Sequence, residues 1–247
     1  MSYPGFVPVR QLVLVDLLGL ILAVRPGERA VVAIDGVDGA GKSHLTAELI
    51  ALASRLAGRE VIGVSMDGFH HPRADRYAAG TGPEGFYHGA FDYDAFRRKV
   101  LTPFRAGREI VPAVHDVTTD QVVHPDAVEV DEDAILLVDG IFLHRPELAQ
   151  AWDAGVFVRV PFGVSVPRGN ARFPDRRVPG DEDPEHPANQ RYVGGQRLYL
   201  ARAQFHKTTW VLDNADLMQP ALLYGDPEVL LAVGARSQEG RGVTGPG

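Results

Sequence analysis

The stretch Gly36-Val37-Asp38-Gly39-Ala40-Gly41-Lys42-Ser43 constrains this chain more than any other, because it fits the pattern GxxxxGK(S/T). Glycines at its bends let the backbone curl until successive N–H groups converge, a cradle for phosphate oxygens. A helix that begins at the end of the motif adds its positive pole. From the chain's own glycine, lysine and hydroxyl content, about 0.002 chance matches are expected, so coincidence is a poor account. The pattern requires a strand before it and a helix after it. Arg29 to Asp35 (RAVVAID) supplies the first, and Leu45, Leu49, Leu52 and Leu56 mark the second over Lys42 to Leu56, with Gly58 as its stop. The expected phosphate-binding residues are Gly36, Asp38, Gly39, Ala40, Gly41, Lys42, Ser43 and His44. Lys42 would reach the β and γ phosphates of a nucleoside triphosphate, ATP with GTP as the alternative, and the Ser43 hydroxyl would ligate Mg²⁺.

Further short apolar runs at Glu60–Met66, Ala134–Asp139, Val156–Val160 and Thr209–Leu212 read as buried strands. They alternate with helical segments at Tyr93–Phe104, Val164–Phe173 and Asn189–Phe205, which predicts an α/β fold with a parallel sheet covered on both faces. Leu12 to Val24 reads as a packed amphipathic helix within an N-terminal segment 1–28. At thirteen residues, interrupted by Asp16, it is too short for a membrane span, which needs roughly 20. The main body would run over 29–217, with a substrate-binding insertion at about 70–131, of which 70–91 shows no clean period and reads as a long ordered loop, and a mobile, proline-rich lid at about 163–190. A C-terminal helix over 218–235 and a disordered tail over 236–247 complete the expected organisation.

Two carboxylates complete the expected site. Asp139 ends a wholly apolar strand, where a P-loop places an acid to hold the magnesium's water shell; a turn-capping Asp is the other reading. Asp67 follows another strand, and parallel sheets carry ligands at the carboxyl ends of strands. There it could accept the proton of an attacking hydroxyl, or merely form a turn. His70 and His71 read as residues lining a substrate pocket, since no third metal ligand stands at a telling spacing. Tyr87, Asp92, His115 and Asp116 lie beside element ends, suited either to substrate hydroxyls or to capping. Arg168 and Arg172 precede the lid, where guanidinium groups could close over a transferring phosphoryl. Asn214 is a candidate neighbour of the purine.

The formal charge of −7 argues against a protein that coats nucleic acid or an anionic membrane. With no cysteine there is no disulfide framework or thiol nucleophile, which fits a cytoplasmic protein. A small-molecule substrate is the expected partner, with room for a homo-oligomer. A GTPase switch would need an Asn-Lys-x-Asp segment, and lysines at 42, 99 and 207 provide none.

In order, GVDGAGKS, MDGFHHP, FDYDAF, VHDVTTD, ILLVDGIF and an arginine-bearing lid resemble the uridine kinase and phosphoribulokinase branch of P-loop kinases, which also holds the pantothenate kinases. The resemblance covers about 29–217. It implies a P-loop NTPase fold of the nucleoside and nucleotide kinase type, a three-layer sandwich around five parallel strands, with ATP or GTP as donor. It implies that Asp67 serves as base, that Phe91-Asp92 contacts ribose hydroxyls, that His115-Asp116-Val117 lies near a pyrimidine and that Arg168 and Arg172 belong to the lid. The chain departs from uridine kinases at His115 and Val117, where an aromatic pair is expected, and at Asp120, where a histidine is expected. Asp67-Gly68-Phe69-His70 is closer to pantothenate kinase-like proteins. The implied activity is transfer of a γ-phosphoryl to a primary hydroxyl, with uridine or cytidine first and pantothenate or a sugar alcohol next. Outside the kinases, an NTP-hydrolysing switch is the rival.

Overall fold

A computed structural model of the chain describes residues 8–206, 208–226 and 229. The first helix, α1 (Val9–Leu22), buries Leu14, Leu17, Leu18 and Ile21, one stripe at i, i+3, i+4 and i+7. It is followed by β1 (Ala30–Gly36), α2 (Lys42–Leu56), β2 (Val61–Ser65) and a 3-10 turn over Met66–Phe69. Next come α3 (Arg73–Ala78), α4 (Pro83–Gly89), and a rod over 93–105 made of α5 (Tyr93–Phe96), a π-helical turn (Arg97–Leu101) and α6 (Thr102–Arg105). A two-stranded hairpin, β3 (His115–Asp116) with β4 (Gln121–Val122), precedes β5 (Ile135–Gly140). The chain continues through β6 (Ala154–Arg159), α7 (Phe162–Asn170), α8 (Gln190–Leu200), β7 (Thr209–Asp213) and β8 (Ala221–Leu223).

The main sheet has the order β2-β5-β1-β6-β7-β8, and its first five strands are parallel. Every residue of β1 and β5 is buried, because helices cover both faces, and this is why those strands read as unbroken apolar runs. Alternation along β1 divides the core. Val32 and Ile34 join α1 and α2 on one face, while Val31 and Ala33 join Phe69, Phe96, Phe104 and Phe142 on the other. From β1 the chain crosses to β2 on one side, and from β5 it crosses to β6 on the other. The carboxyl end of β1 is therefore a topological switch point, where α/β sheets open a crevice for ligands.

Two expectations need correction. Residues 221–223, assigned to a C-terminal helix, form β8, which pairs antiparallel with β7 through Leu212↔Leu222 and adds a sixth strand to the expected five. Of the rest of that segment, residues 227, 228 and 230–235 lie outside the described residues, as does the tail 236–247. The stretch 70–91 is not loop throughout. It holds α3 and α4, of 6 and 7 residues, too short to show a helical period. Within the segment 163–190, Arg177 pairs with the buried Asp181 at 2.7 Å, and Asn170 and Asn189 both donate to the Asp181 carbonyl. Among the described residues no helix is long and apolar enough to cross a membrane.

Candidate active site

The phosphate loop springs from the switch point, and packing leaves no room for side chains at its bends. Gly39 has φ +73°, and a Cβ there would lie 2.0 Å from the Ser165 carbonyl oxygen of α7. Only glycine tolerates both the conformation and the contact. Lys42 is buried at the start of α2, and its Nζ donates to the Val37 carbonyl at 2.9 Å, which holds the ammonium inside the loop.

Beside the lysine, Ser43 Oγ donates to Asp139 Oδ2 at 2.7 Å, and Ser65 Oγ approaches the same oxygen at 3.3 Å. Burial pushes the Asp139 carboxyl above its ordinary value, the Ser43 hydrogen bond opposes that, and the Asp67 charge adds to it. A hydroxyl and a carboxylate are hard oxygen donors, the set that suits Mg²⁺ when water and phosphate oxygens fill the remaining positions.

Asp67 sits in the 3-10 turn after β2. His70, at 3.4 Å from Asp67 Oδ1 through Nε2, is itself fixed by Nδ1 donating to the Ala90 carbonyl at 2.9 Å and by stacking on Phe91 at 4.3 Å. Burial works to raise Asp67, but the hydrogen bond and charge of His70, then Lys42 and Arg172, outweigh it, and the carboxyl lies below its ordinary value. Its side chain is 64% exposed, so water still reaches the group and solvent screens the effect. Asp38, on the loop, is likewise open to water within the cleft. Burial raises it, Lys42 and Arg172 oppose, and Asp67 contributes as a like charge. Asp38, Lys42, Asp67, His70 and Arg172 thus share one electrostatic field. The glycine loop after β1 and an ionised carboxylate after β2 stand near one another at the switch point.

The chain has a P-loop kinase fold. Among solved structures it is similar to a Bacillus stearothermophilus protein described as a possible uridine kinase, at TM-score 0.61 and 22% identity, over 78% of this chain and 92% of that one. A Silicibacter sp. TM1040 protein, provisionally described as a fructose transport system kinase, matches at 0.64 and 23%, over 79% and 97%. A D-glycerate 3-kinase from Cryptococcus neoformans matches at 0.55 and 12%, over 84% and 96%. No protein-family model matches the chain. At these identities the likeness establishes the P-loop kinase fold and not the substrate.

The two arginines expected to belong to the lid diverge. Arg172 is exposed and its charge reaches Asp38 and Asp67, whereas Arg168 donates to the Asn214 and Ala215 carbonyls at 3.1 and 2.6 Å. Asn214 is spent on the loop: its Nδ2 donates to the Ala40 carbonyl at 2.8 Å, and its Oδ1 accepts from Arg10. His44 points outward from α2. Asp92 caps α5 through the Ala95 N–H, and Asp116 accepts the Thr118 N–H in a turn. Tyr87 lies in the aromatic cluster with Phe142, under the Arg145 guanidinium. His115 is buried, its Nε2 3.2 Å from Asp120 Oδ1 but poorly aligned for a hydrogen bond.

Behind the loop lies a group that reading the sequence missed. Asp35 is fully buried; its Oδ1 accepts the Gly36 N–H at 2.6 Å, and its Oδ2 accepts from His144 Nδ1 at 2.7 Å, the His144 N–H at 3.1 Å and the Tyr199 hydroxyl. An acid closing an apolar strand just before the motif was the available signal. Its partners lie 109 and 164 residues away, beyond any local pattern.

Proposed function

We propose that the protein is a small-molecule kinase that uses ATP and Mg²⁺ to phosphorylate a primary hydroxyl. The single observation that carries this reading is Asp67: an ionised carboxylate, held by His70, facing the phosphate loop from the end of β2. Gly36 through His44 would cradle the triphosphate, and Lys42 would neutralise its terminal oxygens. Ser43 and Asp139 would hold Mg²⁺, which when bound offsets charge on the β and γ phosphates. Asp67 accepts the acceptor's proton as the oxygen attacks, and Arg172 balances charge that develops on the moving phosphoryl. His70, Asp92 and His115 border the acceptor side. Phosphoryl transfer asks a protein mainly for positioning and charge neutralisation, and these residues supply both.

Among acceptors a nucleoside, uridine or cytidine, is the first choice on the sequence resemblance. Pantothenate, sugar alcohols, fructose and glycerate belong in the same panel, the last two on the descriptions of structurally similar proteins. The test is ADP release with Mg–ATP or Mg–GTP across that panel. Acceptor-dependent turnover is expected; hydrolysis at one rate with every acceptor and with none would instead mark an NTP-driven switch. Asp67→Asn should then lower kcat by about 100-fold or more, the scale of general-base catalysis, while nucleotide affinity persists. An Asp67→Asn enzyme as fast as wild type would remove Asp67 from this role.

A further inference from the structure

Helix α8 carries two buried polar side chains one turn apart, Gln196 and Tyr199, and both point at the phosphate loop. Tyr199 reaches Asp35, which holds the Gly36 N–H. Gln196 Oε1 accepts the Asp38 N–H directly, at 2.7 Å. Its amide cannot be turned the other way, because Nε2 donates to the Tyr192 carbonyl at 3.1 Å, one helical turn back. Asp38 is also the loop residue whose carboxyl feels the charges of Lys42, Asp67 and Arg172.

On its other face α8 is pressed against the acceptor-side insertion. A Cβ on Gly194 would come within 2.6 Å of Pro83, and one on Gly195 within 2.7 Å of the Phe86 ring. Arg191 donates to the carbonyls of Gly80 at 2.5 Å and Arg76 at 3.2 Å. One helix therefore touches the loop, through side-chain hydrogen bonds, and the insertion, through close packing.

We propose that Gln196 is a positioning residue for the phosphate loop: by holding the Asp38 N–H it fixes the loop's first turn on α8, in register with the insertion that α8 also carries. The inference rests on the nucleotide-binding part of the proposed function and on no particular acceptor. Loss of a buried acceptor leaves the Asp38 N–H unsatisfied and frees the loop to sample other shapes, and each non-binding shape lowers apparent affinity in proportion to its population.

The test compares wild type, Gln196→Leu and, as a control on the exposed side of α8, Arg197→Ala. Hydrogen exchange at the Asp38 amide in wild type without nucleotide should show protection; exchange as fast as in an open loop would overturn the proposal with no variant needed. Gln196→Leu should remove that protection and weaken Mg–ADP binding by calorimetry about tenfold, the scale of one hydrogen bond, in a protein that stays folded with a melting temperature lowered by only a few degrees. Arg197→Ala should match wild type in both. Wild-type affinity in a folded Gln196→Leu would overturn the proposal. If wild type bound no Mg–ADP at all, the kinase reading would fail instead, and the exchange measurement would still decide whether Gln196 holds the loop.

Discussion

Asp139 illustrates how one residue can report on the whole site. Burial holds its carboxyl above the ordinary value, so the folded protein keeps a proton there at pH values where the unfolded chain has lost it. That raised value contributes stability at low pH, which is lost as pH rises through the folded pKa. A cation bound at Ser43 and Asp139 needs the carboxylate and competes with that proton. Stabilisation by Mg–ADP, measured as the shift in melting temperature, should therefore be larger at pH 7.5 than at pH 5. The difference should shrink in Asp139→Asn; equal shifts at both pH values in wild type would exclude the competition. Gly39→Ala tests the loop at the same scale. A Cβ 2.0 Å from a backbone oxygen, at φ +73°, must displace α7 or the loop, and Mg–ADP affinity should fall more than tenfold, about 1.4 kcal/mol. Residues whose placement depends on near neighbours in sequence were legible in advance, Lys42 and Ser43 at the start of α2 above all. Asp35, His144 and Gln196 were not, because each is placed by partners brought together only by the fold.

Two glycines in helices show how the same substitution changes sign between elements. Gly19 of α1 has nothing within 4 Å of where a Cβ would stand, so Gly19→Ala should add helix propensity alone and stabilise by about 1 kcal/mol. Gly195 of α8 has the same propensity to gain, yet its Cβ would meet the Phe86 ring at 2.7 Å and the Pro83 carbonyl at 3.0 Å. Overpacking of that kind costs about 1–3 kcal/mol, so Gly195→Ala should destabilise on balance. Urea unfolding of the pair checks both signs, and a stabilised Gly195→Ala would show that α4 and α8 separate easily. Long elements with a clear period, α2 and the central strands, were legible to within a residue or so. The helical rod over 93–105 was too, but its π-helical turn was not. Pro103 has no N–H for the Lys99 carbonyl, which accepts from Val111 instead at 3.0 Å, and such a long-range rescue leaves no periodic trace.

At the scale of the molecule, the cleft joins parts distant in sequence: a loop after β1, a turn after β2, an acid ending β5 and an arginine just past α7. The parallel sheet was legible because strands alternating with helices admit few other arrangements, while the strand order was not. The antiparallel edge strand β8 was not, since three residues carry no pattern. Arg172 tests whether the assembled cleft acts as a unit. Its charge helps hold Asp67 below the ordinary carboxylate value, so removing it should raise Asp67. If Asp67 must be ionised to accept the proton, the acid limb of the kcat profile should then move to higher pH in Arg172→Ala. Nucleotide affinity should change little, because the loop's own contacts do not involve this side chain. Arg172 is exposed, so the interaction is open to screening: in wild type, raising the salt concentration should carry the acid limb part of the way toward the mutant's. Arg168→Ala offers the contrast. Its guanidinium is bound to the Asn214 and Ala215 carbonyls, so its loss should loosen the segment that steadies Ala40 and weaken Mg–ADP binding, with no movement of the acid limb. An acid limb that stays fixed in Arg172→Ala at every salt concentration would mean that the lid-side arginine and the carboxylate act independently, and the cleft would not be the electrostatic unit described above.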